Sequence, residues 1–184
     1  MPKTTFISIL RGINVSGQKS VKIPELKALY ESLGFESVTT YIQSGNVVFK
    51  TSEDIDLELL SENIEKAIEK KFQFAVPVIN FTRNEFNSII LSNPFLTRNE
   101  VDKERLYVTF LQKIPDAVLV EKLNSVNYLP DEFIISGKAI YVYCPNGYGR
   151  TKINNNFFEN KLKANATTRN WKTVNVLLDL ADKA

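Results

Sequence analysis

The stretch IQSGNVVF, residues 42–49, determines the fold class because a similar stretch, IISGKAIY, returns at residues 134–141. In each, a run of apolar residues leads into Ser-Gly and a second run follows, which is typical of a β-hairpin. At nearly the same offset, IPE at residues 23–25 returns as IPD at residues 114–116, and each marks a predicted helix start. These echoes predict two similar halves in tandem. The alternative is that hairpins and helix starts reuse common residues.

Hydrophobic periodicity around these echoes predicts the same order of strands and helices, β-α-β-β-α-β, in both halves. This is the order of ferredoxin-like domains. We therefore expect an α+β protein with two tandem ferredoxin-like (βαββαβ) units, mainly antiparallel sheets and a C-terminal helix. The predicted elements are TTFISIL, IPELKALYESLG, VTTYIQ, NVVFKT, DLELLSENIEKAIEKKF and VPVINF, then RLYVTFLQ, IPDAVLVEKLNS, DEFIIS, KAIYVYC, NNFFENKLK, a short run near ATT and a helix from Asn170.

The pattern divides the sequence into three segments. Residues 1–81 form the first predicted unit, with an insertion between its first strand and first helix. Residues 82–104 are predicted to be a connecting helix and linker, because TRNE at residues 82–85 matches a capping box and Pro94 would end the following helix. Residues 105–184 form the second unit and the C-terminal helix.

The insertion lies within LRGINVSGQKSVKIP, residues 10–24, and is the first candidate binding segment. In the second unit, the equivalent predicted strand and helix are joined through Gln112 and Lys113 alone. Long loops on a rigid scaffold often carry binding groups, and this loop combines glycines with donors suited to an anion. The predicted ligand-binding residues of the 11–22 loop are Arg11, Asn14, Lys19 and Ser20.

The same loop nearly matches a phosphate-binding P-loop. GINVSGQKS, residues 12–20, has one residue, Gln18, more than the pattern G-x-x-x-x-G-K-S allows. The predicted helix also starts only near Pro24, whereas a P-loop needs its helix directly after the lysine so that backbone amides face the phosphates. We therefore do not expect nucleoside-triphosphate hydrolysis.

A second candidate segment is CPNGYGRTKINNN, residues 144–156, where Arg150 and Lys152 follow two glycines and precede a predicted helix. Amides at the helix start and these two cations would suit one anion. The alternative is a solvated connection between strand and helix. Arg169 is a further predicted ligand-binding residue, which either pairs with a carboxylate or joins Arg11 and Arg150 around an anion.

The sequence contains no histidine and one cysteine, Cys144. This composition excludes Ser-His-Asp and Cys-His catalysis and every zinc site that contains histidine. Because no D-x-D-x-D loop is present for calcium either, we predict neither a metal nor a cofactor. Cys144 is predicted to be a packing residue at a strand end. The acidic pair Asp131 and Glu132 is interpreted as solvated turn or helix-start residues.

The formal net charge is +2, but residues 1–24 and 145–184 are basic while residues 25–144 are acidic. If folding brings the two basic ends together, they favour an anionic ligand; the alternative is a scatter of solvated charges. No apolar run approaches the about 20 residues of a membrane span, and Met1 to Leu10 does not resemble a signal peptide. We expect a soluble cytoplasmic protein with no membrane partner.

Four motifs in order resemble the bacterial family catalogued as domain of unknown function sixteen-ninety-seven. They are LRGIN at residues 10–14, TYIQSGNVVF at residues 40–49, P-x-G-x-G-R-[ST]-K at residues 145–152 and T-x-R-N-W-x-T at residues 167–173. Ser16 departs from the family, which more often has glycine there. The resemblance covers essentially the whole chain and implies a tandem α/β fold of the ferredoxin-like kind, and it implies no activity.

Three classes of function remain open at this point. The first is a module that binds an anionic, phosphate-bearing small ligand through the 11–22 loop and the 145–152 turn. The second is a metal-free enzyme on a phosphorylated substrate, with Lys19 or Lys152 as base. The third is a structural or interaction protein without a small ligand. Nucleic acid is a secondary candidate partner, because the aromatic pattern of RNA-binding sheets is missing.

Overall fold

The computed structural model describes residues 3–52 and 54–184. The chain divides into two compact units, Met1–Ser88 with Val176–Ala184, and Ile89–Asn175. This division assigns the last residues of the chain to the first unit. The segments 1–81, 82–104 and 105–184 stay a prediction about independent folding units.

The first unit contains a four-stranded antiparallel sheet in the order β2-β3-β1-β4. Its elements are β1 (Lys3–Leu10), α1 (Ile23–Ser32), β2 (Glu36–Tyr41), β3 (Asn46–Ser52), α2 (Leu57–Phe72) and β4 (Val78–Thr82). Helix α2 begins after Asp56, whose carboxylate accepts the Leu59 N–H at 2.8 Å. Apolar residues four positions apart, Leu60, Ile64 and Ile68, place one helix face in the core beside Phe6 and Phe49.

Helix α3 (Arg83–Leu91) follows β4 directly. The predicted capping box is confirmed, because the Thr82 N–H donates to Glu85 at 2.8 Å and the Glu85 N–H donates to Thr82 Oγ1 at 3.2 Å. The helix ends at Leu91, and Pro94 opens a short 3₁₀ turn capped by Asn93. Within the first unit, Arg83 also pairs with Asp182 at 2.6 Å.

The second unit repeats the arrangement, with an antiparallel sheet in the order β6-β7-β5-β8. Its elements are β5 (Leu106–Leu111), α4 (Ala117–Asn124), β6 (Glu132–Ser136), β7 (Ala139–Tyr143), α5 (Asn155–Leu162) and β8 (Ala166–Asn170), and α6 (Trp171–Lys183) follows. The core on the helix side contains Leu111, Leu123, Ile140, Val142, Phe158 and Leu162.

The predicted fold class is confirmed, since two tandem βαββαβ units with antiparallel sheets and a C-terminal helix are present. One predicted boundary is wrong. Helix α4 begins at Ala117 rather than at Ile114, because the Asp116 carboxylate accepts the Val118 N–H at 2.8 Å and fixes the helix start there. None of the helices in residues 3–52 and 54–184 is long and apolar enough to cross a membrane.

Each sheet carries a polar pair at the same register of its central strand. Ser8 of β1 lies opposite Asn80 of β4 and bonds to it, and Asn80 Nδ2 donates to Ser61 of α2 at 2.9 Å. In the second unit, Thr109 of β5 lies opposite Thr168 of β8, with their hydroxyl oxygens 2.7 Å apart. Both units therefore place a polar link at the same register, buried in the first unit and partly buried in the second.

Candidate functional site

The segment from Cys144 to Asn154, between β7 and α5, folds into consecutive turns. The Cys144 N–H donates to the Arg105 carbonyl at 3.0 Å, the Gly147 N–H to Cys144 at 2.9 Å, and the Arg150 N–H to Gly147 at 3.1 Å. Gly147 has a φ of 87°, and a Cβ there would lie 3.1 Å from Arg105 Nη1, so glycine is required. These three backbone N–H groups are used within the turns and are therefore not donors for a ligand.

Tyr148 anchors the segment to the second sheet. Its ring packs on Tyr107, with ring centroids 4.9 Å apart, and its hydroxyl lies 3.0 Å from Thr168 Oγ1. Thr168 Oγ1 in turn donates to Asn155 Oδ1, in the first turn of α5, at 2.5 Å. The position of Arg150 is therefore set by a residue two places earlier that is fixed inside the unit.

A cleft of about 560 Å³ opens beside this segment. Two connections form its walls, residues 125–131 before β6 and residues 144–154 after β7, which meet where β6 begins and β7 ends. The equivalent of the first wall in the first unit is only residues 33–35. The lining residues are Asn127, Tyr128, Leu129, Pro130, Asp131, Asn146, Arg150, Lys152 and Ile153.

Two cationic side chains and two amide side chains line this cleft. Arg150 and Lys152 are exposed, and in the part of the chain that the structure describes their side chains have no hydrogen-bond or ion-pair partner. Asn127 Oδ1 accepts the Leu129 N–H at 3.0 Å, and the Nδ2 of the same amide has no hydrogen-bond partner among the described residues. Asn146 is exposed as well. The donors suit an anion that offers several acceptor oxygens.

One carboxylate, Asp131, also lines the cleft, and it is only partly exposed. Thr151 Oγ1 donates to Asp131 Oδ2 at 2.6 Å and accepts the Ile153 N–H at 3.1 Å. The interpretation of Asp131 as a solvated turn residue is therefore incomplete, because the residue lies in a bend but is only partly exposed and is fixed by a specific hydrogen bond. Sequence reasoning missed Asp131, Asn127 and Asn146; the length of the connection before β6 was the available signal.

Cys144 lies next to this group and is buried in the core of the second unit. Burial raises the pKa of its thiol to about 11, and the nearby Asp131 charge acts in the same direction. A thiol in this environment is a poor nucleophile. The prediction that Cys144 is a packing residue at a strand end is confirmed.

The 11–22 loop of the first unit is held by its own polar groups. Asn14 Nδ2 donates to the carbonyls of Val21 and Gln43, each at 2.9 Å, and its Oδ1 accepts the Val21 N–H at 2.8 Å. Lys19 Nζ donates to the Ala75 carbonyl at 2.6 Å. Both predicted ligand-binding side chains thus support the shape of the loop.

The rest of this loop has a mixed electrostatic character. Ser20 lines a smaller cleft of about 400 Å³ at the start of α1, where Lys22 and Glu25 form an exposed ion pair at 3.6 Å. The Arg11 N–H donates to the Pro77 carbonyl at 2.9 Å, and its side chain is partly buried. The glycine-rich loop therefore does not form a purely cationic pocket.

The turn between β2 and β3 packs directly on this loop, since β1 ends where β3 begins. Gly45 has a φ of 78°, and a Cβ there would lie 2.6 Å from Ile13 Cδ1 and 2.8 Å from Leu10 Cβ. The Leu10 N–H donates to the Gly45 carbonyl at 2.9 Å. The motif residues around Ser44 and Gly45 thus lie at the same end of the sheet as the loop, a position that the sequence left open.

Arg169 is placed differently from the other cations of the second unit. It lies on β8, is 8% exposed, and its Nη1 donates to Thr167 Oγ1 and to the Thr168 carbonyl, each at 2.9 Å. Successive side chains of a strand point to opposite faces, so Arg169 faces away from Thr168 and the helices. It does not line the cleft that Arg150 and Lys152 share.

In residues 3–52 and 54–184, no group of three or more Cys, Asp or Glu side chains could hold a metal ion. The donor set of the cleft, cations and amides with one carboxylate, suits an anion instead.

The fold and the cleft define a class of protein with two tandem βαββαβ units and a basic cleft in the second. The chain belongs to the family described as protein of unknown function (DUF1697), whose model matches residues 3–141. The match ends before the segments that contain Arg150 and Arg169.

Among solved structures, the chain is similar to a conserved bacterial protein from Streptococcus pneumoniae. The two are 23% identical, with a TM-score of 0.77, and the similarity covers 98% of this chain and 99% of that one. This likeness supports the fold over the whole chain. No curated protein matches the chain.

Proposed function

We propose that the cleft of the second unit binds a small molecule that carries a phosphate group. The observation that carries the proposal is that Arg150 and Lys152 line one cleft without a protein partner in the described residues. A lone surface cation needs no explanation, since most are solvated. Two cations on a concave wall held by partly buried anchors such as Tyr148 are better explained by an anionic ligand.

The chemistry of the lining residues favours phosphate over a singly charged anion. The guanidinium of Arg150 donates two parallel hydrogen bonds, and the ammonium of Lys152 adds a point charge. Asn127 and Asn146 add neutral donors at the rim. A phosphomonoester carries close to two negative charges and three terminal oxygens, which matches two cations and several donors.

The size of the cleft favours a small molecule. Its volume of about 560 Å³ lies within the about 300–1,000 Å³ of most small-molecule sites. A nucleic-acid backbone needs an extended basic groove rather than one pocket, so it stays a secondary candidate. Phosphorylated metabolites are abundant in the cytoplasm, where we propose that the protein acts.

For the 11–22 loop, we propose fewer ligand-binding residues than the sequence predicted. Arg11 and Ser20 remain proposed ligand contacts, whereas Asn14 and Lys19 are engaged in holding the loop. The neighbouring Lys22 and Glu25 pair lowers the local positive potential. We therefore expect the first unit to contribute less to anion affinity than the second.

The test is calorimetric titration of the whole protein with inorganic phosphate, ethyl phosphate and glycerol 1-phosphate. We expect the double variant R150A/K152A to lower affinity at least tenfold, with an unchanged melting temperature. The affinity of the wild-type protein should also fall as salt is raised, because the contacts are charged.

The matched control is K161A/K172A, which removes two exposed cations of the same unit outside the cleft. It should leave affinity unchanged. Equal loss in both double variants would indicate a general charge effect and would contradict the proposed site, as would the absence of any phosphate binding at low salt.

A further inference from the structure

The carboxylate of Asp131 is fixed in the wall of the cleft. Its Oδ2 accepts the Thr151 hydroxyl at 2.6 Å, and the Asp131 N–H donates to the Tyr128 carbonyl at 3.2 Å. The Cys144 thiol is a further hydrogen-bond partner of the carboxylate, and among the described residues no cation lies within ion-pair distance of either oxygen. The carboxylate is thus held in place in the wall of the cleft, where it is partly exposed and has no cationic partner among the described residues.

A fixed carboxylate works against the binding of an anion alone. An ionised carboxylate only accepts hydrogen bonds, and it repels a phosphate brought close to it. Arg150 and Lys152 would bind inorganic phosphate more tightly without Asp131. A cost of this kind is offset when the ligand places a donor group against the carboxylate.

We infer that Asp131 selects phosphomonoesters that carry a hydrogen-bond donor, an amine or a hydroxyl, beside the phosphate. The inference rests on the proposed function of the same cleft. The phosphate lies against Arg150 and Lys152, and the donor lies against the Asp131 carboxylate. Leu129, which is 67% exposed, and Pro130 supply apolar surface for a short carbon chain between the two ends.

Thr151 is a positioning residue in this arrangement. Its hydroxyl touches Asp131 and the Ile153 N–H, and it does not line the cleft. Removing the hydroxyl leaves the charge of Asp131 in place and removes one of the two side-chain groups that orient it. The effect should therefore appear as weaker selectivity, with little change in the affinity for phosphate itself.

The experiment compares ethyl phosphate, which has no donor on its carbon chain, with O-phosphoethanolamine and glycerol 1-phosphate. We expect the wild-type protein to prefer the donor-bearing compounds roughly tenfold, the ratio of one charge-assisted hydrogen bond. In D131N this preference for the amine should disappear, while the affinity for ethyl phosphate stays equal or rises. The amine and hydroxyl compounds together show which donor the carboxylate favours.

The controls separate this inference from the proposed function. E121Q removes an exposed carboxylate of the same unit outside the cleft and should keep the preference. T151V should reduce the preference for donor-bearing compounds while its affinity for ethyl phosphate stays unchanged. This variant tests the inference even if D131N has a lowered melting temperature. Ethyl phosphate binding with no preference, or a preference that survives in D131N, overturns the inference alone. Binding of none of the three compounds overturns both proposals.

Discussion

The two units share one fold and differ in which connection is long and in what its polar groups do. In the first unit, the 11–22 loop follows β1, and its residues Asn14 and Lys19 bond to backbone carbonyls of their own unit. In the second, the long connections are at the opposite end of the equivalent sheet, where β7 ends. There, Arg150 and Lys152 have no such partners in the described residues.

This comparison shows that loop length alone does not identify a binding site. A long loop has many backbone polar groups to satisfy, and its side chains can be consumed in doing so. The more informative feature is a cation that the fold holds in place and leaves unpaired. The first unit has the longer, glycine-rich loop, whereas the second unit has the cations, unpaired among the described residues, that suit an anionic ligand.

The largest expected effect is on stability, and it compares Gly45 and Gly137, the equivalent glycines of the two repeated hairpins. Gly45→Ala should lower the free energy of unfolding by about 3 kcal/mol, because a methyl group must fit against Ile13 and Leu10 at a positive φ. Gly137→Ala should cost only about 1 kcal/mol, since a Cβ there meets nothing within 4 Å. Denaturation in urea measures both, and equal losses would show that the two hairpin turns are packed alike.

The thiol of Cys144 gives a probe of the second unit alone. Burial raises its pKa from 9.0 to about 11, so at pH 8 the native thiolate fraction should be about a hundredfold below that of the unfolded chain. Because the folded pKa is raised, this contribution to stability is complete below pH 9 and is lost as the pH rises to about 11. The rate of alkylation by iodoacetamide at pH 8 measures the thiolate fraction. An alkylation rate of the native protein close to that of the unfolded chain contradicts the buried position of Cys144.

Asn14 and Asn146 form the next pair. Asn14→Ala should cost about 2 kcal/mol of stability, because three hydrogen bonds that hold the 11–22 loop are lost. Asn146→Ala should change stability by less than about 0.5 kcal/mol, since the residue is exposed. Urea denaturation with phosphate titration separates the two roles; a large stability loss at Asn146 would assign it to the fold rather than to the cleft.

The smallest expected effects concern the two lysines. Lys19→Ala should cost about 1 kcal/mol through the lost bond to the Ala75 carbonyl. Lys152→Ala should change stability by less than about 0.5 kcal/mol and should lower phosphate affinity. Thermal melts with and without phosphate measure both changes. A reversed pattern, with affinity lost at Lys19, would return the 11–22 loop to first place as the binding segment.

Most of the fold could be predicted from the sequence because its signals are local. The Ser-Gly echo, the TRNE capping box and the periodicity of residues 57–72 each specify a hairpin, a helix start or a helix without reference to distant residues. The start of α4 was missed because Asp116 competes with Pro115 as the helix-start signal, and both are common there.

The candidate site was predicted only in part because it depends on contacts between distant residues. Arg150 and Lys152 stood out beside glycines, but their neighbour Asp131 is recognised only when β6 is paired with β7. The contact of Gly45 with Ile13 is likewise tertiary. Nothing in the sequence near Asn14 distinguishes a side chain that binds a ligand from one that holds its own loop.

The division of α6 between the units has a consequence for the timing of folding. This helix starts at Trp171, yet Val176–Ala184 belong with the first unit, where Asp182 meets Arg83. On a ribosome, the sheet of the first unit emerges early, but its last contacts form only after all of the second unit has been synthesised. We therefore expect the first unit to begin folding before the second and to finish after it, with the slow closure that such long sequence separations require.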